Sequence, residues 1–178
     1  MNIMGKRPPR RLVYVQVSAE RILLKRVSTG SVVDDVPHVA IDLQGAPVAF
    51  GSAATEAAKW RTDLRLVNGF SHPRCVVDDM NVAALTLRRF LDLLLNPRGR
   101  LRLRRTKPSL VIHPVGVRDL TGLEAWGLQR VARLAGASGS RVWLGEEPPY
   151  ETLIGGVAQG GSWLALPPAR RGFPRRDG

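Results

Sequence analysis

Two stretches typical of buried β-strands, separated by an amphipathic helix, constrain the fold of this chain more than any other feature. The first is PSLVIHPVG (108–116), bounded by proline, and the second is SRVWLGEEP (140–148). Between them, residues 118–135 carry apolar side chains at helical spacing, and Gly136 follows the last turn. A strand–helix–strand unit of this length joins two parallel strands by a right-handed crossover. The chain is therefore expected to form a partly parallel sheet.

The remaining signals add antiparallel strands and further helices. Alternating or continuous apolar residues predict strands at 12–18, 21–28, 39–43 and 47–50. Residues 29–35 are predicted to be a polar turn, and 62–79 to be irregular with short extended pieces at 64–67 and 75–77. Helices are predicted at 52–61 with Ser52 as N-cap, at 81–96 with Asp79 or Asn81 as cap, and at 149–157. Together these elements predict an α/β fold, a single domain with a mixed sheet flanked by helices.

Positive charge is concentrated in three short segments. They are KRPPRR (6–11), RGRLRLRRTK (98–107) and ARRGFPRRDG (169–178), and they hold 14 of the 27 basic residues but one of the 15 acidic ones. The rest of the chain is therefore close to neutral, although the whole carries a net charge of +12. This distribution predicts a basic N-terminal arm (1–11), a folded body (12–157) and a flexible tail rich in Gly, Pro and Arg (158–178).

The internal basic segment has two interpretations. Its candidate anion contacts are Arg98, Arg100, Arg102, Arg104, Arg105 and Lys107. In an extended segment three of these arginines share one face, which suits phosphates of nucleic acid or anionic lipid head groups. The alternative is a solvated loop between a helix and a strand. No aromatic residue is interleaved with the arginines and no nucleic-acid motif is present, so nucleic acid is the less favoured partner.

Several other kinds of site are disfavoured. The single cysteine, Cys75, excludes an internal disulfide framework and a paired-cysteine zinc site, and its apolar neighbours favour burial over nucleophilic catalysis. His38, His72 and His113 lie far apart, so no metal site is predicted. Glu146 and Glu147 are interpreted as capping the next helix rather than as an acid–base pair, and Gly160–Gly161 as a linker. No apolar run is long enough to span a bilayer and no signal peptide is evident, so a cytoplasmic location is expected.

The order of short motifs resembles the MreB family of bacterial actin homologues over about residues 12–157. In the second half the matching motifs are His113-Pro114-Val115-Gly116, Ala135-Gly136-Ala137, Val142-Trp143-Leu144, Glu146-Glu147-Pro148 and Ile154-Gly155-Gly156. In the first half Phe50-Gly51-Ser52-Ala53-Ala54 matches the start of the family's first helix. The resemblance implies an actin-like (ribonuclease-H-like) fold corresponding to the family's first domain, with the second domain absent.

The same resemblance implies a degenerate nucleotide site. Where the family has a DLGTAN-like phosphate hairpin, this chain has Gln16, Val17, Ser18, Ala19, Glu20 and Arg21. Gln16 replaces the aspartate that positions the metal, and Ser18 replaces a glycine that lets phosphate approach. The second hairpin, DIGGGT-like in the family, matches 158–163 and lacks aspartate; the water-activating glutamate matches about Thr121, with Asp119 and Glu124 nearby. No nucleotide, metal or other cofactor is therefore expected, and no ATPase activity.

Two functions are consistent with these features. The leading one is a non-catalytic, MreB-like accessory protein of the bacterial cytoskeleton, tied to cell-shape or spore-wall morphogenesis. It would bind a full-length MreB-family protein or the wall-synthesis machinery, or associate with itself, with peripheral contact at the inner face of the cell membrane. The rival is a basic module that binds nucleic acid or anionic membrane. An apolar patch left by the absent domain is expected to be covered by the tail, by self-association or by a partner.

Overall fold

The computed structural model describes residues 11–71, 75–97, 107–155 and 160–164. In chain order the elements are β1 (Leu12–Val17), β2 (Ile22–Arg26), β3 (Val32–Asp35), β4 (His38–Ile41), β5 (Pro47–Phe50), α1 (Ser52–Trp60), β6 (Arg65–Asn68), α2 (Met80–Leu95), β7 (Ser109–Pro114), α3 (Gly122–Leu134), β8 (Gly139–Gly145), α4 (Tyr150–Leu153) and β9 (Gly161–Trp163). The strands form a six-stranded sheet in the order β3-β2-β1-β7-β8-β9 and a three-stranded sheet in the order β5-β4-β6.

The centre of the large sheet is parallel, as the strand–helix–strand signal predicts. β7 pairs in parallel with β1 on one side and with β8 on the other, so Val15 lies beside Ile112 and Ile112 beside Val142. The flanking pairs β1–β2, β2–β3 and β8–β9 are antiparallel. The sheet is therefore mixed, and the predicted α/β class is confirmed.

Helices α2 and α3 cover one face of this sheet. Side chains at alternate positions of β1, such as Val13 and Val15, form the main core with buried residues of both helices, including Phe90 and Leu128. Asp79 caps α2 by accepting hydrogen bonds from the backbone N–H groups of Asn81 and Val82. One of the two predicted caps of α2 is thus confirmed.

The opposite face is covered by residues that follow β8. Leu12, Tyr14, Val111 and Trp143 are buried there, and Val27, Leu153 and Trp163 pack against them. Trp163 belongs to β9, which pairs with β8 and closes that edge of the sheet. The prediction of a flexible tail from residue 158 is therefore wrong for 161–163, and the linker interpretation of Gly161 is wrong as well. The apolar face of the sheet is covered within the chain itself.

The three-stranded sheet and α1 form a smaller layer beside the large sheet. β6 lies in the stretch predicted to be irregular, on its short extended piece, because its backbone pairs with β4 from His38 to Ile41. β3 likewise replaces part of the predicted polar turn 29–35, since Val32–Asp35 pair with β2. Asp35 links the layers: its Oδ1 accepts a hydrogen bond of 2.8 Å from the backbone N–H of Ser52. Gly51, rather than the predicted Ser52, is the N-cap of α1.

Candidate functional site

A cavity of about 320 Å³ lies at the carboxyl ends of β1 and β7. This edge of a parallel sheet is where α/β proteins commonly bind ligands. The cavity is lined by Val17, Ser18, Ala19, Phe70, Cys75, Val76, Val115, Gly116, Val117, Asp119 and Glu124. Three of the six residues matched to the phosphate hairpin, Val17, Ser18 and Ala19, therefore line one cavity, together with two carboxylates.

The turn between β1 and β2 is closed by its own serine. Ser18 Oγ accepts hydrogen bonds from the backbone N–H groups of Glu20 at 3.3 Å and Arg21 at 3.1 Å. The backbone N–H of Ser18 in turn donates to the carbonyl of Arg21 at 2.9 Å. A hairpin that binds phosphate presents such N–H groups to the ligand. Here three of them are already paired inside the turn.

The side chain of Arg21 is also engaged. Its Nε and Nη2 donate to the two carboxylate oxygens of Asp34 at 2.8 and 2.6 Å, in a bidentate pair on the surface. The hydrogen bonds from Arg21 lower the pKa of Asp34 below its usual value. The pair ties the β1–β2 turn to β3.

Gln16, which replaces the aspartate of the family's hairpin in the sequence match, belongs to a hydrogen-bonded network on the other face of β1. Gln16 Nε2 donates to the Tyr14 hydroxyl at 3.1 Å, and this hydroxyl lies 2.6 Å from His113 Nδ1. His113 Nε2 lies 2.9 Å from the carbonyl oxygen of Gly145, which accepts from it. With the histidine proton on Nε2, Tyr14 donates to Nδ1, and both ring nitrogens of His113 are paired. Through Tyr14 and His113 this hydrogen-bonded network joins β1, β7 and the end of β8.

Burial favours the neutral forms of Tyr14 and His113, the two ring residues of this hydrogen-bonded network. Removal from solvent raises the pKa of Tyr14 far above its ordinary value, although the hydrogen bond from Gln16 opposes the shift. Burial lowers the pKa of His113, with the Gly145 carbonyl acting in the opposite direction. His113 is therefore a buried member of a polar network at the end of β7.

The start of α3 differs from the sequence prediction, and the difference places a carboxylate at the cavity. α3 begins at Gly122 rather than at 118, because Thr121 and Glu124 form a capping box. Glu124 Oε2 accepts from the backbone N–H and the hydroxyl of Thr121 at 2.9 and 2.7 Å. Glu124 and Asp119 line the cavity, whereas Thr121, matched to the family's glutamate, does not. A T-x-x-E motif in the sequence signals this capping box.

The other predicted positions have structural partners. His38 Nδ1 lies 2.9 Å from Thr55 Oγ1, and the thiol of Cys75 donates to the carbonyl of Val77 at 3.1 Å. The prediction that Glu146 and Glu147 cap the next helix is wrong, because the N-cap of α4 is Pro149 and makes no side-chain capping bond. His72 lies outside the described residues. Among the residues described, no group of three or more His, Cys, Asp or Glu side chains is placed to hold a metal ion.

The Gly-rich stretch matched to the second phosphate hairpin forms part of the sheet edge instead. Gly161 pairs with Gly145 across the β8–β9 ladder. A Cβ at Gly161 would collide with the Leu144 carbonyl and the Trp143 ring, and one at Gly145 with the Gly160 carbonyl. Gly145 also has a φ of +121°, which favours glycine. These glycines therefore allow two backbones to approach each other in the sheet.

The basic segments are described in part. Arg98, Arg100, Arg102, Arg104 and Arg105 lie outside the described residues, as do 1–10 and 165–178. Lys107 and Arg11 are described, and they line one groove of about 330 Å³ with Arg88 and Leu134. Because β1 and β7 are parallel neighbours, the backbone N–H of Ser109 donates to the carbonyl of Arg11 at 3.2 Å. The described ends of two basic segments thus lie side by side.

Solved structures of bacterial actin-like proteins share this fold. MreB5 of Spiroplasma citri bound to ADP gives a TM-score of 0.58 at 22% identity, covering 75% of this chain and 37% of that one. The same protein bound to AMPPNP gives 0.55 at 23% identity, covering 75% and 38%. A non-polymerising mutant of MamK bound to AMPPNP gives 0.55 at 13% identity, covering 76% and 41%.

These comparisons confirm the predicted actin-like fold. The chain spans about two fifths of the length of the solved structures that it matches. No family model and no curated protein sequence matches it. No helix in the described part of the chain has the length and hydrophobicity needed to cross a bilayer.

Proposed function

We propose that this chain is a non-catalytic, MreB-like accessory protein of a bacterial cytoskeleton that acts by binding other proteins. The observation that carries the proposal is the closed β1–β2 turn, in which Ser18 Oγ accepts hydrogen bonds from the backbone N–H groups of Glu20 and Arg21. Backbone N–H groups bind phosphate only when they are free to point at it. A turn in which the N–H groups of Ser18, Glu20 and Arg21 are already paired keeps the shape of a hairpin but offers fewer donors to a phosphate.

The residues beside this turn do not fit a magnesium nucleotide either. Gln16 has no carboxylate to offer to the ion or its water shell, and its amide is held by Tyr14. Asp119 and Glu124 do line the cavity, but one oxygen of Glu124 is occupied by the Thr121 capping box. These residues therefore support the proposal that this site does not bind a magnesium nucleotide.

The proposed role is in cell-shape or spore-wall morphogenesis. The fold shared with MreB5 and MamK supports a cytoskeletal setting, and the degenerate turn supports a binding role within it. The proposed partners are a full-length MreB-family protein or the wall-synthesis machinery. The proposed location is the cytoplasm, including the inner face of the cell membrane.

Two measurements test the proposal. Titration calorimetry with ATP and magnesium should give no heat of binding, with a full-length MreB-family protein as positive control. Micromolar, magnesium-dependent binding of ATP would overturn the non-catalytic assignment. The chain should also sediment with filaments of the full-length MreB-family protein from the same organism at physiological salt. Failure to sediment with those filaments removes that protein as partner.

The design of this second measurement depends on β9. A variant ending at Leu164 removes the basic tail but keeps the strand that covers Trp143. It should bind the filaments as the full chain does. A variant ending at Gly160 would lack β9 as well as the basic tail. A change in its binding could therefore not be assigned to the tail alone.

A second candidate function is a basic module for anionic membrane or nucleic acid. The adjacency of Arg11 and Lys107 supports it, because the two basic segments reach the sheet at neighbouring strands. Binding of this kind weakens steeply as salt rises, since counterions are released from the polyanion. Binding to MreB-family filaments that persists at raised salt would support the first function, whereas binding to a polyanion that is lost at raised salt would support the second.

A further inference from the structure

The outer face of α3 exposes large apolar side chains. Leu123 is 76% exposed and Trp126 is 53% exposed, and Leu134 is 42% exposed at the other end of the helix. The spacing of Leu123 and Trp126 places them on one side of the helix, because residues three apart are neighbours on its surface. Exposed apolar side chains grouped on one element mark interaction surfaces more often than isolated ones do.

This face is also cationic. Arg130 and Arg133 are exposed one and two turns beyond Trp126. Glu124 is the acidic residue of α3, and its carboxylate is turned back to Thr121 in the capping box. Gln129 donates to the carbonyl of Ser140 at 3.3 Å. The exposed surface of α3 therefore combines an aromatic and an aliphatic side chain with two arginines.

A surface of the opposite character lies at the start of α4. Glu146, Glu147 and Glu151 are exposed there, and Tyr150 between them is 46% exposed. None of these three carboxylates forms an ion pair with a residue in the described ranges. We refer to residues 146–151 as the acidic turn. It presents an aromatic ring flanked by negative charges.

The two surfaces lie on opposite faces of the large sheet. Leu128 and Val131 of α3 pack in the core that contains Val13 and Val15. Leu153 of α4 packs against Leu12 and Trp143 on the other side. A single molecule therefore cannot bring its own α3 face and its own acidic turn together.

We infer that the α3 face is a docking surface for the acidic turn of a second copy of this chain. Tyr150 of one copy packs against Leu123 and Trp126 of the other, and Glu147 and Glu151 pair with Arg130 and Arg133. The contact joins two different surfaces, so it is head-to-tail and leaves a free surface at each end of the assembly. The inference names a partner for the protein-binding role proposed above and rests on that role.

Sedimentation velocity over an about hundredfold range of protein concentration tests this contact. The wild-type chain at physiological salt should sediment faster as its concentration rises. Arg130→Glu with Arg133→Glu reverses the charge of the α3 face, and Glu147→Lys with Glu151→Lys reverses that of the acidic turn. Each pair alone should weaken self-association by at least about tenfold, because like charges then face each other.

Combining the variants makes the test specific. An equimolar mixture of the two double variants should associate again, since each contact in it joins opposite charges. A chain carrying all four substitutions should associate as well. Lys59→Glu with Arg65→Glu, at exposed positions of α1 and β6 in the smaller layer, is the matched control and should leave association unchanged. Circular dichroism checks that every variant is folded.

Three outcomes would overturn the inference. One is a wild-type chain that stays monomeric throughout the concentration range. Another is self-association of the acidic-turn variant at wild-type strength, which would indicate contact between two α3 faces. The third is binding of anionic vesicles that is lost with Arg130 and Arg133, which would assign the face to lipid. A monomeric chain that still sediments with MreB-family filaments would refute this inference and leave the proposed function standing.

Discussion

Trp163 provides the sharpest test of the observed fold, because the sequence places it in a flexible tail and the structure places it in the sheet. Its ring lies edge-on to Trp143, with centroids 4.9 Å apart and an interplanar angle of 71°. The guanidinium carbon of Arg141 lies 3.8 Å from the Trp163 ring centroid. Trp163→Ala should therefore destabilise the protein, whereas the same change in a flexible tail would not.

The expected size of the effect follows from these contacts. A partly buried tryptophan that removes about 120 Å² of apolar surface from water contributes about 3 kcal/mol at about 25 cal/mol per Å². The edge-to-face contact with Trp143 adds about 1 kcal/mol. Areas measured against an extended chain overstate the gain. We expect Trp163→Ala to lower the free energy of unfolding by about 2–4 kcal/mol.

Urea unfolding followed by far-ultraviolet circular dichroism measures this change without relying on tryptophan fluorescence. With a denaturant slope of about 2 kcal/mol per M, the midpoint should fall by about 1–2 M. Trp60→Ala is the matched control, because Trp60 is 85% exposed and should change stability by at most about 0.5 kcal/mol. A Trp163→Ala midpoint equal to that of Trp60→Ala would refute the assignment of β9 to the sheet.

Three further predictions concern the buried network and the basic segment. Tyr14→Phe leaves Gln16 Nε2 and His113 Nδ1 without the hydroxyl they share, and should cost about 1–3 kcal/mol in urea unfolding; a change under about 0.5 kcal/mol would contradict the network. Because burial lowers the pKa of His113, the folded state binds fewer protons than the unfolded one. Stability should be fully present above about pH 6.5 and fall as pH drops through the folded pKa, and His113→Asn should flatten that slope. Replacing Arg100, Arg102, Arg104 and Arg105 with Gln should leave stability within about 0.5 kcal/mol but weaken sedimentation with anionic vesicles by about 1 kcal/mol per residue. Equal vesicle binding by the wild type and this variant would identify 98–107 as a solvated connection.

Elements with strong local signals could be predicted from the sequence. β7, α3 and β8 follow from a continuous apolar run, an amphipathic stretch and a second apolar run, and α2 follows from its apolar pattern and the Asp79 cap. In each case the residues that specify the element lie within it or next to it. The order of these elements predicts the mixed α/β sheet, the resemblance to the MreB family implies the actin-like fold, and the solved structures confirm that fold.

Elements that depend on distant partners could not be predicted. β3 forms because Val32–Asp35 pair with β2, and β9 because Gly161–Trp163 pair with β8, although both segments have the composition of a turn or linker. Short edge strands such as these have little intrinsic preference, and their pairing is set by the neighbouring strand. α3 begins four residues later than predicted because of the capping box, and Glu124 in its first turn lines the cavity.

Residues 16–21 differ from the phosphate hairpin of the MreB family at several positions. These differences are coupled to the rest of the fold rather than confined to one position. Ser18→Gly would free the N–H groups of Glu20 and Arg21, but Gln16 would still lack a carboxylate. Gln16→Asp would supply one, but the hydroxyl of Tyr14 would lose its donor and a new charge would lie beside a buried ring. His113 connects the same hydroxyl to the carbonyl of Gly145, where β8 ends and the backbone of β9 passes too close for a side chain. The proposed loss of the nucleotide site therefore involves both faces of β1, and the face that holds Tyr14 and His113 is the one that β9 closes.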